Sequence, residues 1–228
     1  MTAPRALIFD WDNTLVDSWS TIHEALVRTF TEMGYEPWTL AETKARVRHS
    51  LRDAFPKLFG ERWDEARKRY LDHFTAIHLE RLMPIVGAAE LLNEAKAAGF
   101  YLAVLSNKTG RILRREAAHL GWSDYFVRLV GAGDATADKP DPAAMRLALE
   151  DSGFAGEGVW YIGDTALDME CASRAGCSGI LIGEFDAADR GFAQFPPQQR
   201  FASFIELSRW LSAAADPPSS EKTSTRRL

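Results

Sequence analysis

Cysteine is scarce: Cys171 and Cys177 are the only two in 228 residues. Two thiols cannot build a disulfide framework, and their spacing is not that of a zinc site. They read as small buried side chains in a reducing compartment. No apolar run approaches the ~18 residues needed to span a bilayer. The opening stretch MTAPRALIFD lacks the shape of a secretory signal. An excess of positive charge is also missing: 27 Lys and Arg face 32 Asp and Glu, a net charge of −5. Nothing therefore draws the chain to nucleic acid or to anionic membrane. Internal repeats are absent too. These absences predict a cytoplasmic protein and leave its oligomeric state open.

What is present is an ordinary globular composition, with 46% hydrophobic and 26% charged residues, which excludes a disordered or fibrous chain. Ala6–Phe9 is a short apolar run of the kind a doubly buried strand shows. Ile22, Leu26, Phe30 and Met33 recur at helical spacing between Ser18 and Gly34. Thr39 and Glu42 form a capping box that opens a second helix, and a third runs from Glu61 to about Leu82. From Gly87 the pattern alternates. Helices are predicted at 87–98, 109–120, 141–152, 166–175 and 201–214, and strands at 101–105, 128–130, 159–162 and 179–182. Alternation at this interval predicts an α/β fold, a doubly wound, mostly parallel sheet. Its first strand is separated from the rest by an all-helical insertion. The division is thus an α/β core at 1–16 and 84–215, a helical unit at 17–83, and a polar, disordered tail at 216–228.

Open α/β sheets bind ligands at the carboxyl ends of their strands. Those ends carry Asp10, Asp12 and Thr14; Ser106 and Asn107; Lys139; and Asp164, followed one helical turn later by Asp168. Crowded acids repel one another unless a hard cation lies between them, and Mg²⁺ favours one or two carboxylates with water and substrate phosphate. Asp10 and Asp164 suit that cation. Lys139 suits a phosphoryl oxygen, and Thr14, Ser106 and Asn107 suit the remaining ones. Side chains two residues apart at a strand end need not share a task. Asp10 can attack phosphorus while Asp12 gives a proton to the leaving oxygen. Each of these patterns alone is a common turn or helix cap; four in order, each at a strand end, are not.

The run Asp10-Trp11-Asp12-Asn13-Thr14-Leu15, then Ser106-Asn107, Lys139-Pro140, and Gly163-Asp164 with Asp168, resembles the four motifs of the haloacid dehalogenase-like (HAD) superfamily over about residues 1–210. The insertion is similar to the helical cap of its type 1 members. Val16-Asp17-Ser18 and Asp138-Lys139-Pro140-Asp141-Pro142 resemble the phosphoglycolate-phosphatase-like subgroup. The resemblance implies a Rossmann-like core and a Mg²⁺-dependent phosphatase working through an aspartyl-phosphate, with phosphoglycolate the leading substrate. It makes Asp10 the nucleophile and a metal ligand, and Asp12 the acid/base that also lends its carbonyl to the metal. It gives Ser106 and Lys139 the phosphoryl group, Asp164 the metal, and Asp168 a supporting place. Asn13 departs from the glycine of many relatives, and asparagine tolerates the same backbone angles. Trp11 is expected to pack beside the site. Dehalogenase members lack the second aspartate, so Asp12 disfavours that reaction. The alternatives are a sugar-phosphate mutase similar to β-phosphoglucomutase and, more remotely, a non-catalytic phosphate-binding protein. In relatives a loop between cap helices reaches the active site. Here the corresponding stretch holds no acid between Thr43 and Arg52, which makes Arg48, His49, Ser50 and Arg52 candidates for a second anionic group on the substrate.

Overall fold

The computed structural model describes residues 4–185 and 189–215; the tail expected to be disordered, 216–228, lies outside the described residues. In chain order the elements are β1 (Ala6–Phe9), β2 (Val16–Asp17), α1 (Trp19–Met33), α2 (Leu40–Arg46), α3 (Leu51–Phe59), α4 (Trp63–Ile77), β3 (Met83–Pro84), α5 (Ala88–Ala97), β4 (Tyr101–Thr109), α6 (Gly110–His119), β5 (Arg128–Ala132), α7 (Pro142–Ala148), β6 (Val159–Gly163), α8 (Ala166–Arg174), β7 (Ser178–Ile182), α9 (Arg190–Gln194), β8 (Gln199–Phe201) and α10 (Phe204–Ala215). Six strands form one sheet in the order β5-β4-β1-β6-β7-β8, and every pairing in it is parallel.

β1 lies inside the sheet and is buried on both faces, which is why its sequence is uniformly apolar. Leu7 and Phe9 pack with Leu91 and Leu92 of α5 and Phe204 and Leu207 of α10. Ala6 and Ile8 point the other way, onto Ala144 and Met145 of α7 and Cys171 of α8. Helices thus cover both faces, as the alternation predicts. The helical insertion has its own core. Ile22, Leu26 and Phe30 of α1 meet Phe55 and Phe59 of α3 and Tyr70, Leu71 and Phe74 of α4, with Ile112 of α6 closing the cluster. The two chain crossings between insertion and sheet lie side by side, because β2 and β3 pair antiparallel at Val16–Pro84 and Asp17–Met83.

Several segments differ from the expectation: β4 runs on to Thr109, α7 stops at Ala148, and α9 and the pair β2 and β3 are additional. α3 is not singled out among the predicted elements of the helical insertion; it forms in spite of Pro56 inside it, held by burial of Phe55 and Phe59. α4 ends at Ile77 rather than Leu82. Residue 201 belongs to edge strand β8, paired with β7, and the last helix starts at Phe204.

Candidate active site

The first acid is aimed by the sheet. Beyond the end of β1, the Asp10 N–H donates to the Ile162 carbonyl at 2.8 Å, which extends the β1–β6 ladder to the aspartate. The chain then turns at once. The Leu15 and Val16 N–H groups both donate to the Trp11 carbonyl, at 2.9 and 3.1 Å. The turn needs a left-handed residue, and Asn13 supplies it at φ 62°. The Asn13 side chain adds a second service: its Oδ1 accepts from the Ser18 N–H at 3.1 Å, just ahead of α1. The departure from glycine is therefore compatible with the backbone.

Around Asp10 the other motifs converge. Lys139 Nζ lies 3.0 Å from Asp10 Oδ1 and 2.7 Å from Asp168 Oδ1. Asp168 is fully buried. Its carboxylate also accepts from the Tyr161 hydroxyl at 3.1 Å and from the Thr165 N–H and hydroxyl at 3.0 and 2.7 Å. Gly163 ends β6 because a Cβ there would collide with this carboxylate. One carboxylate oxygen from each of Asp10, Asp164 and Asp168 falls within 4.8 Å of the others. Burial raises Asp10 to about 6, with Asp168 and Asp12 adding to the shift and Lys139 opposing it. Burial and the neighbouring acids Asp168 and Asp10 push Asp164 well above the usual carboxylate range. Asp168 goes the other way: burial would raise it, but Lys139 and its hydrogen bonds leave it low. The group therefore holds one settled carboxylate, Asp168, and two that are uncomfortable as anions.

These side chains floor a cavity of about 790 Å³, counting its open mouth. Asp10, Asp12, Ser106, Asn107, Lys139 and Asp164 all line it. The Asn107 amide nitrogen donates to the Lys139 carbonyl at 3.2 Å and so ties two motifs together. The opposite wall comes from the insertion. Arg48 and His49, in the turn between α2 and α3, line it with Trp19, Ile22, Tyr70 and Phe74. The arrangement sets a carboxylate and a fixed cation at the base of a cavity, under a wall that carries its own cations. Such a base can receive an oxyanion.

Three expected residues sit elsewhere. Thr14 is buried and does not line the cavity; its hydroxyl donates to Asp164 Oδ1 at 2.9 Å, since the turn carries it inward. Ser50 precedes α3 and is buried, with its hydroxyl donating to Asp53 Oδ2 at 3.2 Å. Arg52 turns away to pair with Asp138 Oδ1 at 2.7 Å. One residue escapes the sequence pattern: Lys108, buried against the cavity with Nζ 2.7 Å from Asp12 Oδ1. Its only sign in the sequence is its place two residues beyond Ser106. Trp11 is fully buried and takes no place in the cavity lining. Among the described residues no helix is long and apolar enough to cross a membrane.

Comparison with known proteins adds to this geometry. A family model described as haloacid dehalogenase-like hydrolase matches residues 7–182. A phosphoglycolate phosphatase of Cereibacter sphaeroides is 30% identical over 186 residues, covering 78% of this chain and 84% of that protein. One of Aquifex aeolicus is 31% identical over 181 residues, with the same coverage of 78% and 84%. Among solved structures, a haloacid dehalogenase-like hydrolase of Bacteroides fragilis has a TM-score of 0.82 at 22% identity, over 90% of this chain and 99% of that one. At that identity the likeness is one of fold.

Proposed function

The chain belongs to the haloacid dehalogenase-like hydrolases, and on that footing we propose that it is a Mg²⁺-dependent phosphatase of a small phosphorylated metabolite, with phosphoglycolate the leading substrate. The observation that carries the proposal is the base of the cavity, where Asp10 stands 3.0 Å from a buried lysine and beside a second acid. The names of the two relatives support phosphoglycolate.

Asp10 and Asp164, both with raised pKa and with oxygens within 4.8 Å of each other, fit a hard cation. Asp10, Asp164 and the Asp12 carbonyl would hold it. When bound, Mg²⁺ offsets the crowded charge and polarises the phosphoryl group. Thr14 steadies Asp164. Asp168 has its oxygens engaged by Lys139, Tyr161 and Thr165, so its support goes to the lysine rather than to ligation. Lys139, Ser106 and Asn107 receive the phosphoryl oxygens. Asp10 attacks phosphorus and the P–O bond to the leaving group breaks, with Asp12 supplying that oxygen's proton. Water then attacks the aspartyl-phosphate, Asp12 takes its proton, and Asp10 is released with inorganic phosphate.

Residues 17–83 act as the cap over a core of 1–16 and 84–215, and they present Arg48 and His49 to the far end of the substrate. A cytoplasmic location fits the unpaired Cys171 and Cys177. Phosphate release from a panel of phosphorylated metabolites, with Mg²⁺ and with EDTA, tests the reading, and Asp10→Asn is the control. Interconversion of two sugar phosphates without net phosphate release would replace it with a mutase. Absence of turnover on every substrate would replace it with a binding protein.

A further inference from the structure

Beside the cavity lies a closed group of buried charges that the chemistry above leaves unused. Glu116 of α6 is fully buried. Its carboxylate accepts from the Trp11 indole N–H at 2.7 Å, pairs with His78 Nδ1 at 2.8 Å, and lies 2.9 Å from Lys108 Nζ. Lys108 bridges from there to Asp12, and the Phe74 ring centre lies 4.6 Å from its ammonium. Burial alone would lower the Lys108 pKa, but Asp12 and Glu116 outweigh it and keep the ammonium charged. The members come from separate stretches of the chain. Trp11 and Asp12 follow β1, Lys108 lies near the end of β4, and Glu116 is in α6. Phe74 and His78 come from the end of α4, where the insertion returns to the sheet.

We propose that Lys108 is the positioning residue for Asp12, and that Glu116 and His78 tie it to the end of α4, so that Asp12 is aimed only while the helical insertion is seated. The proposal rests on the reading of Asp12 as the acid/base. Lys108 engages Oδ1 of Asp12 and leaves Oδ2 for proton exchange in the cavity. Without the ammonium, Asp12 would face Glu116 across a buried gap with nothing between two like charges, and would swing away. Glu116 acts in the same way at one remove, since an untethered Lys108 has no fixed place from which to hold Asp12.

Rapid-quench kinetics with p-nitrophenyl phosphate and Mg²⁺ separate this role from a merely structural one. The p-nitrophenolate group leaves without a proton, so formation of the aspartyl-phosphate does not need Asp12; its hydrolysis does. In Lys108→Met, a burst of about one p-nitrophenol per enzyme is expected to remain. The steady rate is expected to fall about 10–100-fold, the loss typical of a displaced catalytic group. Glu116→Gln keeps the size and an acceptor for Trp11, and is expected to show the same split with a smaller fall; it carries the test if Lys108→Met does not fold. Burst and steady rate falling together would mean a damaged site, and neither changing would mean no role. Either result overturns the positioning of Asp12 by Lys108. Asp12→Asn serves as the reference: if it stalls after the burst while both other variants behave as wild type, only the positioning fails. If Asp12→Asn itself turns over at the wild-type rate, the acid/base reading fails with it.

Discussion

Asn13 shows how one residue can carry a backbone demand and a contact at once. At φ 62° a residue with an ordinary side chain is strained by about 1–2 kcal/mol, and the Ser18 N–H would also lose its acceptor. Asn13→Ala is therefore expected to lower Tm by roughly 2–8 °C, using about 2–4 °C per kcal/mol for a chain of this size. Asn13→Gly should fall less, because glycine adopts the angle freely. Thermal melts by circular dichroism check the order, and an alanine variant as stable as wild type would contradict it. Asp10→Asn should keep the fold and lose turnover by several orders of magnitude, since an amide cannot attack phosphorus. Residual activity above about 1% with an unchanged spectrum would assign the nucleophile elsewhere. At this scale Asp10, Ser106, Asn107 and Asp164 are legible because each lies in or just past a strand that is itself legible, whereas Lys139 lies in the loop before α7 and Asp168 in α8. Thr14 is legible only as a member of the motif; a hydroxyl in a turn can face either way, and this turn carries it to Asp164. Lys108, Glu116 and His78 are illegible. They lie up to 38 residues apart, and no local pattern tells a buried glutamate on a charged helix from a solvated one.

The turn between α2 and α3 is the element on which the proposed selectivity rests. A stretch with four Arg and Lys side chains near one histidine looks the same in sequence whether it faces solvent or substrate. The structure divides it: Arg48 and His49 line the cavity, and Arg52 pairs with the buried Asp138. The two arginines should then respond differently. Arg48→Ala is expected to lower kcat/KM about 10–100-fold on a metabolite with a second anionic group, the loss of one charge-assisted contact. Hydrolysis of p-nitrophenyl phosphate should hardly change. Arg52→Ala should leave that ratio alone and lower Tm instead, because Asp138 then loses its cation while buried. Equal losses on both substrates with Arg48→Ala would mean a damaged insertion rather than a missing contact. The same limit governs what can be read of the elements. Long periodic helices and apolar strands are visible in the sequence. The edge strand β8, three residues long, and α3 with its internal proline are not, since tertiary burial rather than local propensity holds them in place.

Across the whole molecule, the doubly buried sheet holds the acids close together and the fold bears the electrostatic cost of that crowding. Asp10 titrates at about 6 in the folded chain against an ordinary 3.8, and Asp164 is also raised. For these groups the folded state binds protons more readily than the unfolded one. Their contribution to stability is therefore favourable at low pH and is lost as pH rises through the folded value, opposite to an ordinary ion-paired carboxylate. A cation reverses this by binding only the ionised pair. Mg²⁺ at about 100 times its dissociation constant should stabilise the native state by about 2.7 kcal/mol, which is roughly 5–11 °C in Tm. The gain should depend on pH. At pH 5, one unit below the Asp10 value, a proton competes and the apparent affinity falls about tenfold, close to 1.4 kcal/mol. The Mg²⁺-induced rise in Tm should accordingly be smaller at pH 5 than at about pH 7.5 by several degrees, each measured against EDTA at the same pH so that other titrations cancel. Turnover should vanish in EDTA and return with Mg²⁺, and Ca²⁺ should restore it poorly because it accepts looser, higher coordination. Asp164→Asn should abolish both the thermal shift and the rescue. A shift that is equal at the two pH values, or that survives in Asp164→Asn, would place the cation elsewhere, and full turnover in EDTA would remove it from the reaction.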